Sequence, residues 1–344
     1  MRTPVSKQTP RARAVTMRDV AEHAGVSRTA VSLVLNDRHD VTLAQETRSR
    51  VLESAAELGY RPNAGARALA QQRSDWYGLV TEIVTAPFAV DVIKGAQDRA
   101  MDDGKYLLIA STESDAAAET AAIERLLEQR VEGLIYAATW HRGVVVPEIA
   151  REVPTVLVNC FDVEGRFPAV VPDERAGGRR ATERLLSAGH RRIGFINLDP
   201  GIPAAIGRAE GYHSVLREAG ITVDDELEVS GHATADSGFD AAQQLLDLAE
   251  PPTAIFCAND RMAMGAYDAI KERGLRIPHD VAVIGFDNQE LIAGYLRPGL
   301  TTVALPFEQM GALGVDILAA ITAGESTDTK IVTVDCPLLE RSSV

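Results

Sequence analysis

Val15–Asn36, VTMRDVAEHAGVSRTAVSLVLN, decides how the amino-terminal end is read. Met17–His23 suits one short helix, Gly25 can turn the chain, and Ser27 can cap a second helix running to about Leu35. On that second helix Ala30, Val31, Val34 and Leu35 share one side, where they can pack against Val20 and Ala24 of the first. Arg28, Thr29, Ser32, Leu33 and Asn36 are left facing outward. A helix pair with a polar outer stripe of one Arg and several hydroxyls fits the DNA major groove and can hydrogen-bond phosphates and base edges.

Outward from this stretch, a loop over Asp37–Val41 leads to a third helix expected from Thr42 to Leu58. Its Val51, Leu52, Ala55 and Leu58 form an apolar stripe that closes a small three-helix core. Pro62 stops that helix from continuing. Ala64–Ala70 has room for two helical turns, but its shortness and Gly65 leave it unstable alone in water, and Leu69 has no core beneath it. On the other side, residues 1–14 read as a flexible basic arm with Arg11 and Arg13 available to phosphates, or as a plain solvated tail.

The 344 residues are 46% hydrophobic and 24% charged, enough for two or three globular domains. The net charge of −14 is divided unevenly. Residues 1–75 hold 12 Lys and Arg against 8 Asp and Glu, a net of +4, and the remainder holds 23 against 41, a net of −18. A basic head attracts DNA phosphates and an acidic body repels them, which orients the molecule on a duplex. Cys160, Cys257 and Cys336 are widely spaced with no CxxC, which suits reduced, buried thiols in a cytosol. No apolar run approaches membrane-spanning length, and MRTPVSKQTPRARAV lacks the apolar core of a secretory signal, so a cytoplasmic protein without a membrane partner is expected.

From Trp76 onward short apolar runs alternate with helical stretches. Strands are expected at Tyr77–Ile83, Tyr106–Ala110, Gly133–Ala137, Thr155–Asn159, Ala169–Val171, Arg192–Ile196, Ala254–Cys257 and Val281–Gly285. This alternation gives an α/β fold of parallel sheets flanked by helices, which bind ligands at the carboxyl ends of their strands. No GxGxxG or GxxxxGK[ST] supports a dinucleotide or phosphate-loop cofactor, and no GxSxG, HExxH or Cys–His arrangement supports an enzyme or a metal site. No catalytic residue, cofactor or metal is expected.

The run DVAEHAGVS…VS…VLN, followed by ELGYRPNAGARALA (Glu57–Ala70), closely resembles the headpiece of the lactose-repressor (LacI/GalR) family of bacterial transcription regulators. The resemblance continues through SAGHRRIGFI (Ser187–Ile196), RAEGY (Arg208–Tyr212), IFCANDRMAMGAYDAI (Ile255–Ile270), VAVIGFDNQELI (Val281–Ile292) and LTTVALPFEQMGALGVDIL (Leu300–Leu318). It implies a helix-turn-helix domain over 15–60, a hinge helix and linker over 61–75, and a core over 76–344 similar to periplasmic sugar-binding proteins. That core has two lobes joined by three crossings: lobe one at about 76–190 and 304–328, lobe two at about 191–303 and 329–344.

The same resemblance assigns roles. Arg28 and Thr29 match base-reading positions, with Arg28 suited either to a guanine edge or to a phosphate. Leu33 offers only apolar contact where relatives often carry a polar reader. Thr16, Ser27, Ser32 and Asn36 match phosphate contacts; Met17 and Asn63 complete the DNA-binding set. Leu69 matches the hinge leucine that enters the minor groove beside its dimer mate, a plain linker being the alternative. The segment between Val41 and Thr47 is longer than usual for the family, so the start of helix three is open.

In the core, Arg208, Asn259 and Asp287 match effector-binding positions. Asp173 corresponds to an acidic position near the ligand and Phe88 to an aromatic lining the cleft, with an ordinary cap and a core residue as alternatives. Trp140 and His141 follow a strand and can also reach the cleft. Where relatives often carry a large aromatic, this sequence has Ala233 and Thr234, so the group stacking on the ligand differs. The expectation is a homodimeric repressor of a palindromic operator, controlled by a sugar between the lobes. A nucleobase effector and a transporter's solute-binding protein are the alternatives. The chain ends at Glu340–Val344 without a heptad extension, hence a dimer and no tetramer.

Overall fold

The computed structural model describes residues 15–35, 43–61, 74–325 and 330–344. The chain divides into two compact units, 1–74 and 75–344.

In the first unit, helix α1 (Met17–Ala24) opens on a reciprocal cap: the Asp19 amide donates to Thr16 Oγ1, and the Thr16 amide donates to the Asp19 carboxylate at 2.7 Å. Gly25 then takes a φ of 65°, where a Cβ would be strained, and ends the helix. Helix α2 (Arg28–Leu35) starts at Ser27, whose Oγ accepts from the Ala30 amide at 3.1 Å. Val20, Ala24, Val31 and Val34 are buried together with Val51 and Ala55 of α3 (Gln45–Glu57), while Ala30 and Leu35 are half-buried. Helix α3 begins three residues later than expected, because Ala44 is extended (ψ 137°) and offers no side-chain cap. Residues 62–73 of the expected hinge over 61–75, including Asn63 and Leu69, and the recognition-helix residue Asn36 lie outside the described residues.

The second unit contains two six-stranded sheets. The first is built from β1 (Trp76–Thr81), β2 (Tyr106–Ser111), β3 (Leu134–Val144), β4 (Thr155–Asp162), β5 (Ala169–Pro172) and β11 (Ile331–Val334), all parallel, in the order 11-5-4-3-1-2. Helices α4 (Pro87–Asp102) and α11 (Phe307–Thr322) cover one face and α5 (Ala116–Glu128) the other. Alternate residues of β1 enter the two cores, Tyr77 and Leu79 on one side and Val80 on the other.

The second sheet orders as 12-10-9-8-6-7: β6 (Ile193–Asn197), β7 (Glu228–Ser230), β8 (Ala254–Cys257), β9 (Ala282–Asp287), β10 (Thr301–Ala304) and β12 (Leu338–Leu339), the last antiparallel. Its helices are α6 (Glu174–Ser187), α7 (Pro203–Glu218), α8 (Ala235–Leu246), α9 (Asp260–Glu272) and the single turn α10 (Glu290–Ala293). The chain passes between the sheets three times, after β5, β10 and β11. Two passages differ from the expected lobe limits. Ala181 and Leu185 of α6 are buried in the core of the second sheet, so the first crossing lies at Asp173 and not near 190. The last follows Val334 and not residue 328, because β11 pairs with β5.

In both sheets the chain leaves the first-formed strand (β1, β6) to one side and returns on its other side. A ligand crevice forms at the carboxyl ends beside such a reversal.

Candidate functional site

The first unit presents Ser27, Arg28 and Thr29 as exposed residues at the start of α2, with Ser32 and Leu33 half-buried further along it. Thr16 caps α1, and Met17 is its first residue. Amino-terminal residues of a recognition helix are the ones that reach base edges, and the neighbouring helix start supplies amides for phosphate.

In the second unit, residues from both lobes line a cleft at the carboxyl ends of the strands. Lobe one contributes Phe88, Thr139, Trp140, His141, Asn159 and Phe307; lobe two contributes Glu174, Leu198, Ala204, Arg208, Asn259 and Asp287; Leu305 lies at the second crossing.

Arg208, on α7, is buried at 3% exposure, and two of its five N–H donors are engaged by lobe-two groups. Nε donates to Glu174 Oε2 at 2.8 Å, Nη1 donates to the Ala258 carbonyl and lies 3.7 Å from Asp287, and the guanidinium stacks 3.7 Å from the centre of the Phe286 ring. Glu174 also meets His141 of the other lobe at 3.4 Å. One guanidinium therefore serves two buried carboxylates. Burial alone would push Glu174 up, but the Arg208 charge and the His141 contact outweigh it and hold this carboxyl below its usual range. Asp287 is pushed up to about 7 by burial, against the pull of Arg208 and with a further push from Glu174. Behind it, burial and the Asp287 charge raise Asp260, whose carboxylate accepts from Thr302 at 2.6 Å and from the Gln289 amide at 2.7 Å. Asp287 itself has a φ of 105°, a strained conformation costing on the order of 1–3 kcal/mol at the end of β9.

Glycines bring Arg208 to Glu174. A Cβ on Gly211 would lie 2.5 Å from the Arg175 oxygen and Arg179 nitrogen, and one on Gly178 would lie 2.4 Å from the Arg208 oxygen, so α6 and α7 touch backbone to backbone. Gly211→Ala should destabilise the second unit by about 1–3 kcal/mol, read as a lower urea midpoint.

Of the expected effector residues, Phe88, Arg208, Asn259 and Asp287 line the cleft and Asp173 does not. Asp173 caps α6, accepting from the Ala176 amide at 2.9 Å, and the next residue, Glu174, faces the cleft instead. Asn259 caps α9 through the Met262 amide at 2.8 Å and donates to the Ala233 carbonyl at 3.2 Å, leaving one N–H for a ligand. Phe88 packs 5.0 Å from Phe307. Trp140 and His141 reach the cleft because β3 runs on past Ala137 through a bulge, with 138–141 set against Asn159 alone. Glu174, Thr139 and Asn159 were not anticipated; the Asp–Glu pair ahead of α6 was the only signal for the first. Among the described residues no cluster of His, Cys, Asp or Glu could hold a metal ion, and no helix is long and apolar enough to cross a membrane.

One unit with the helix pair of a duplex-groove reader and another with a cleft lined by buried polar groups define the architecture of a ligand-responsive DNA-binding regulator. Residues 16–63 match the family described as bacterial regulatory proteins, lacI family, and 182–344 match the periplasmic binding protein-like domain. The chain is 35% identical over 303 residues to the ribose operon repressor of Haemophilus influenzae, covering 88% of this chain and 90% of that one. It is 34% identical over 332 residues to the transcriptional repressor PurR of Serratia proteamaculans, 96% of each. The structure of the Lac repressor dimer bound to operator and the anti-inducer ONPF superposes with a TM-score of 0.82 at 30% identity, covering 96% of this chain and 99% of that one. The chain belongs to the lacI family of bacterial regulatory proteins.

Proposed function

We propose that the chain is a cytoplasmic, homodimeric transcriptional repressor without enzymatic activity, which binds a pseudo-palindromic operator and is controlled by a sugar in the interlobe cleft. The observation that carries this reading is the pairing, in one chain, of an exposed Arg28–Thr29 helix start with a cleft built on the buried Glu174–Arg208–Asp287 cluster. Arg28 and Thr29 read bases, Leu33 meets a thymine methyl, Thr16, Ser27, Ser32 and Asn36 set register on the phosphates, and Met17 and Asn63 complete the DNA-binding set. Leu69, from each of two copies, wedges the minor groove at the centre of the site. Carboxylate, amide and guanidinium groups suit sugar hydroxyls, and the likeness to ribose operon repressors makes D-ribose the first compound to test. The effector acts through its difference in affinity for two lobe arrangements, carried to the head through residues 61–75.

Selection of duplexes from a random pool by the purified chain tests the proposal. An inverted repeat should emerge, with an affinity that changes when the effector is added. No preference over random duplex, with or without sugars and nucleobases, would overturn it. On the selected site Arg28→Ala should cost about 1–3 kcal/mol and relax one base position. A loss that is uniform across sequences, with a shallower salt dependence, would assign Arg28 to a phosphate.

A further inference from the structure

Glu82 stands just beyond β1, is buried, and belongs to neither of the sites above. Its Oε2 accepts from the Thr139 amide at 3.1 Å and from the Thr139 hydroxyl, and its Oε1 accepts from Arg142. These partners stand at either side of Trp140 and His141, the tip of the β3 bulge. From the other side Asn159, in the left-handed region at φ 58°, donates to the Ala138 carbonyl at 3.0 Å. A four-residue bulge held by charged and amide contacts on both flanks is a built feature.

The bulge presents one particular surface. Of the cleft's aromatics, Phe88 packs on Phe307 and His141 packs edge-on to Phe161. Trp140 is 43% exposed, and among the described residues no ring or cation stacks on it. Its face is open to a ligand, and sugar C–H faces pack on such rings. Charge narrows the ligand further: among the described residues the one guanidinium lining the cleft is paired with two buried carboxylates, Glu174 and Asp287. An anionic ligand would meet these carboxylates with no surplus of positive charge to receive it.

We propose that the β3 bulge is the specificity element of the cleft, with Glu82 as the positioning residue that holds it and Trp140 as the wall on which a neutral, unphosphorylated ring sugar stacks. This rests on the reading of the cleft as an effector site, and the test separates the two.

The chain has two tryptophans, so Trp76→Phe leaves Trp140 as the sole reporter in the full-length protein. D-ribose, D-glucose, D-galactose, D-ribose 5-phosphate and hypoxanthine are titrated by fluorescence and, in parallel, by calorimetry. At least one neutral sugar should change Trp140 emission with the calorimetric Kd. Trp140→Ala should weaken it roughly tenfold, and the 5-phosphate should bind roughly a hundredfold more weakly than D-ribose. Glu82→Gln, with Glu82→Ala as the harsher variant, should shift the emission of the unliganded protein and weaken the sugar roughly tenfold. A residue with a merely structural role would lower Tm and leave emission and Kd alone. Calorimetric binding with a silent Trp140, or with Kd within twofold in the Trp140 and Glu82 variants, overturns the proposal while the effector reading stands. So does tighter binding of the 5-phosphate or of hypoxanthine. No heat from any of the five compounds overturns both.

Discussion

Arg208→Met should abolish the response of operator binding to effector and destabilise the second unit by about 3–5 kcal/mol. Met keeps an apolar stem against Phe286 but leaves two carboxylates buried without their cation and the Ala258 carbonyl without its donor. The stability loss therefore measures what remains behind more than what the ion pair contributes. The double variant Arg208→Met/Glu174→Gln removes the charge that suffers most, and should recover much of the lost stability while the effector response stays absent. Urea midpoints of the three proteins, with operator affinity measured with and without D-ribose, separate the roles. Recovery of the response in the double variant, or its survival in the single one, would remove Arg208 from effector recognition.

The helix-turn-helix was legible because each of its signals is local: a serine to cap the second helix, a glycine at the turn and an apolar stripe of helical period, all within a short stretch. Arg208, Asn259 and Asp287 were legible as a set because each belongs to a segment resembling the family's core, and the last two stand at strand ends. Asp173 and Glu174 show where such reading fails. Successive residues of a helix start point about 100° apart, so one carboxylate caps the helix and its neighbour enters the cleft, and the sequence carries both without distinguishing them. The assignment of α6 to the first lobe failed for a similar reason. Its Gly177, Gly178, Ala181 and Leu185 advertise a buried face but not which sheet lies beneath it; the answer was in the glycines of α7 that match them. Strands β7, β10, β11 and β12 went unanticipated: they are two to four residues long, and unlike the equally short β5 and β8 three of them, β7, β11 and β12, lack a continuous buried run. The β3 bulge depends on Glu82, more than fifty residues away, which no local pattern reveals.

Raising the pH through neutrality should destabilise the free protein, and Asp287→Asn should remove most of that effect. The Asp287 carboxyl is pushed up to about 7, whereas in the unfolded chain it titrates near 4. The folded state thus holds this proton more tightly than the unfolded one. The resulting stabilisation is fully present below about pH 4 and is lost as pH rises through 7, where burying the ionised group costs up to about 4 kcal/mol relative to acid conditions. Asp260, raised in the same direction, adds to this alkaline limb. Glu174 acts oppositely: its carboxyl is lowered, so its contribution is present above the ordinary carboxylate range and fails only as pH falls through its lowered value. Urea midpoints should therefore decline from pH 5 to pH 8 in the parent. In Asp287→Asn the decline should be much shallower, with the variant the more stable of the two at pH 8 and similar at pH 5. Superimposable profiles would show that Asp287 ionises normally in the fold. Because the same carboxyl lines the cleft, a sugar hydroxyl that donates to its ionised form should expel the proton near neutral pH. The calorimetric heat of binding should then depend on the ionisation enthalpy of the buffer in the parent and lose that dependence in Asp287→Asn.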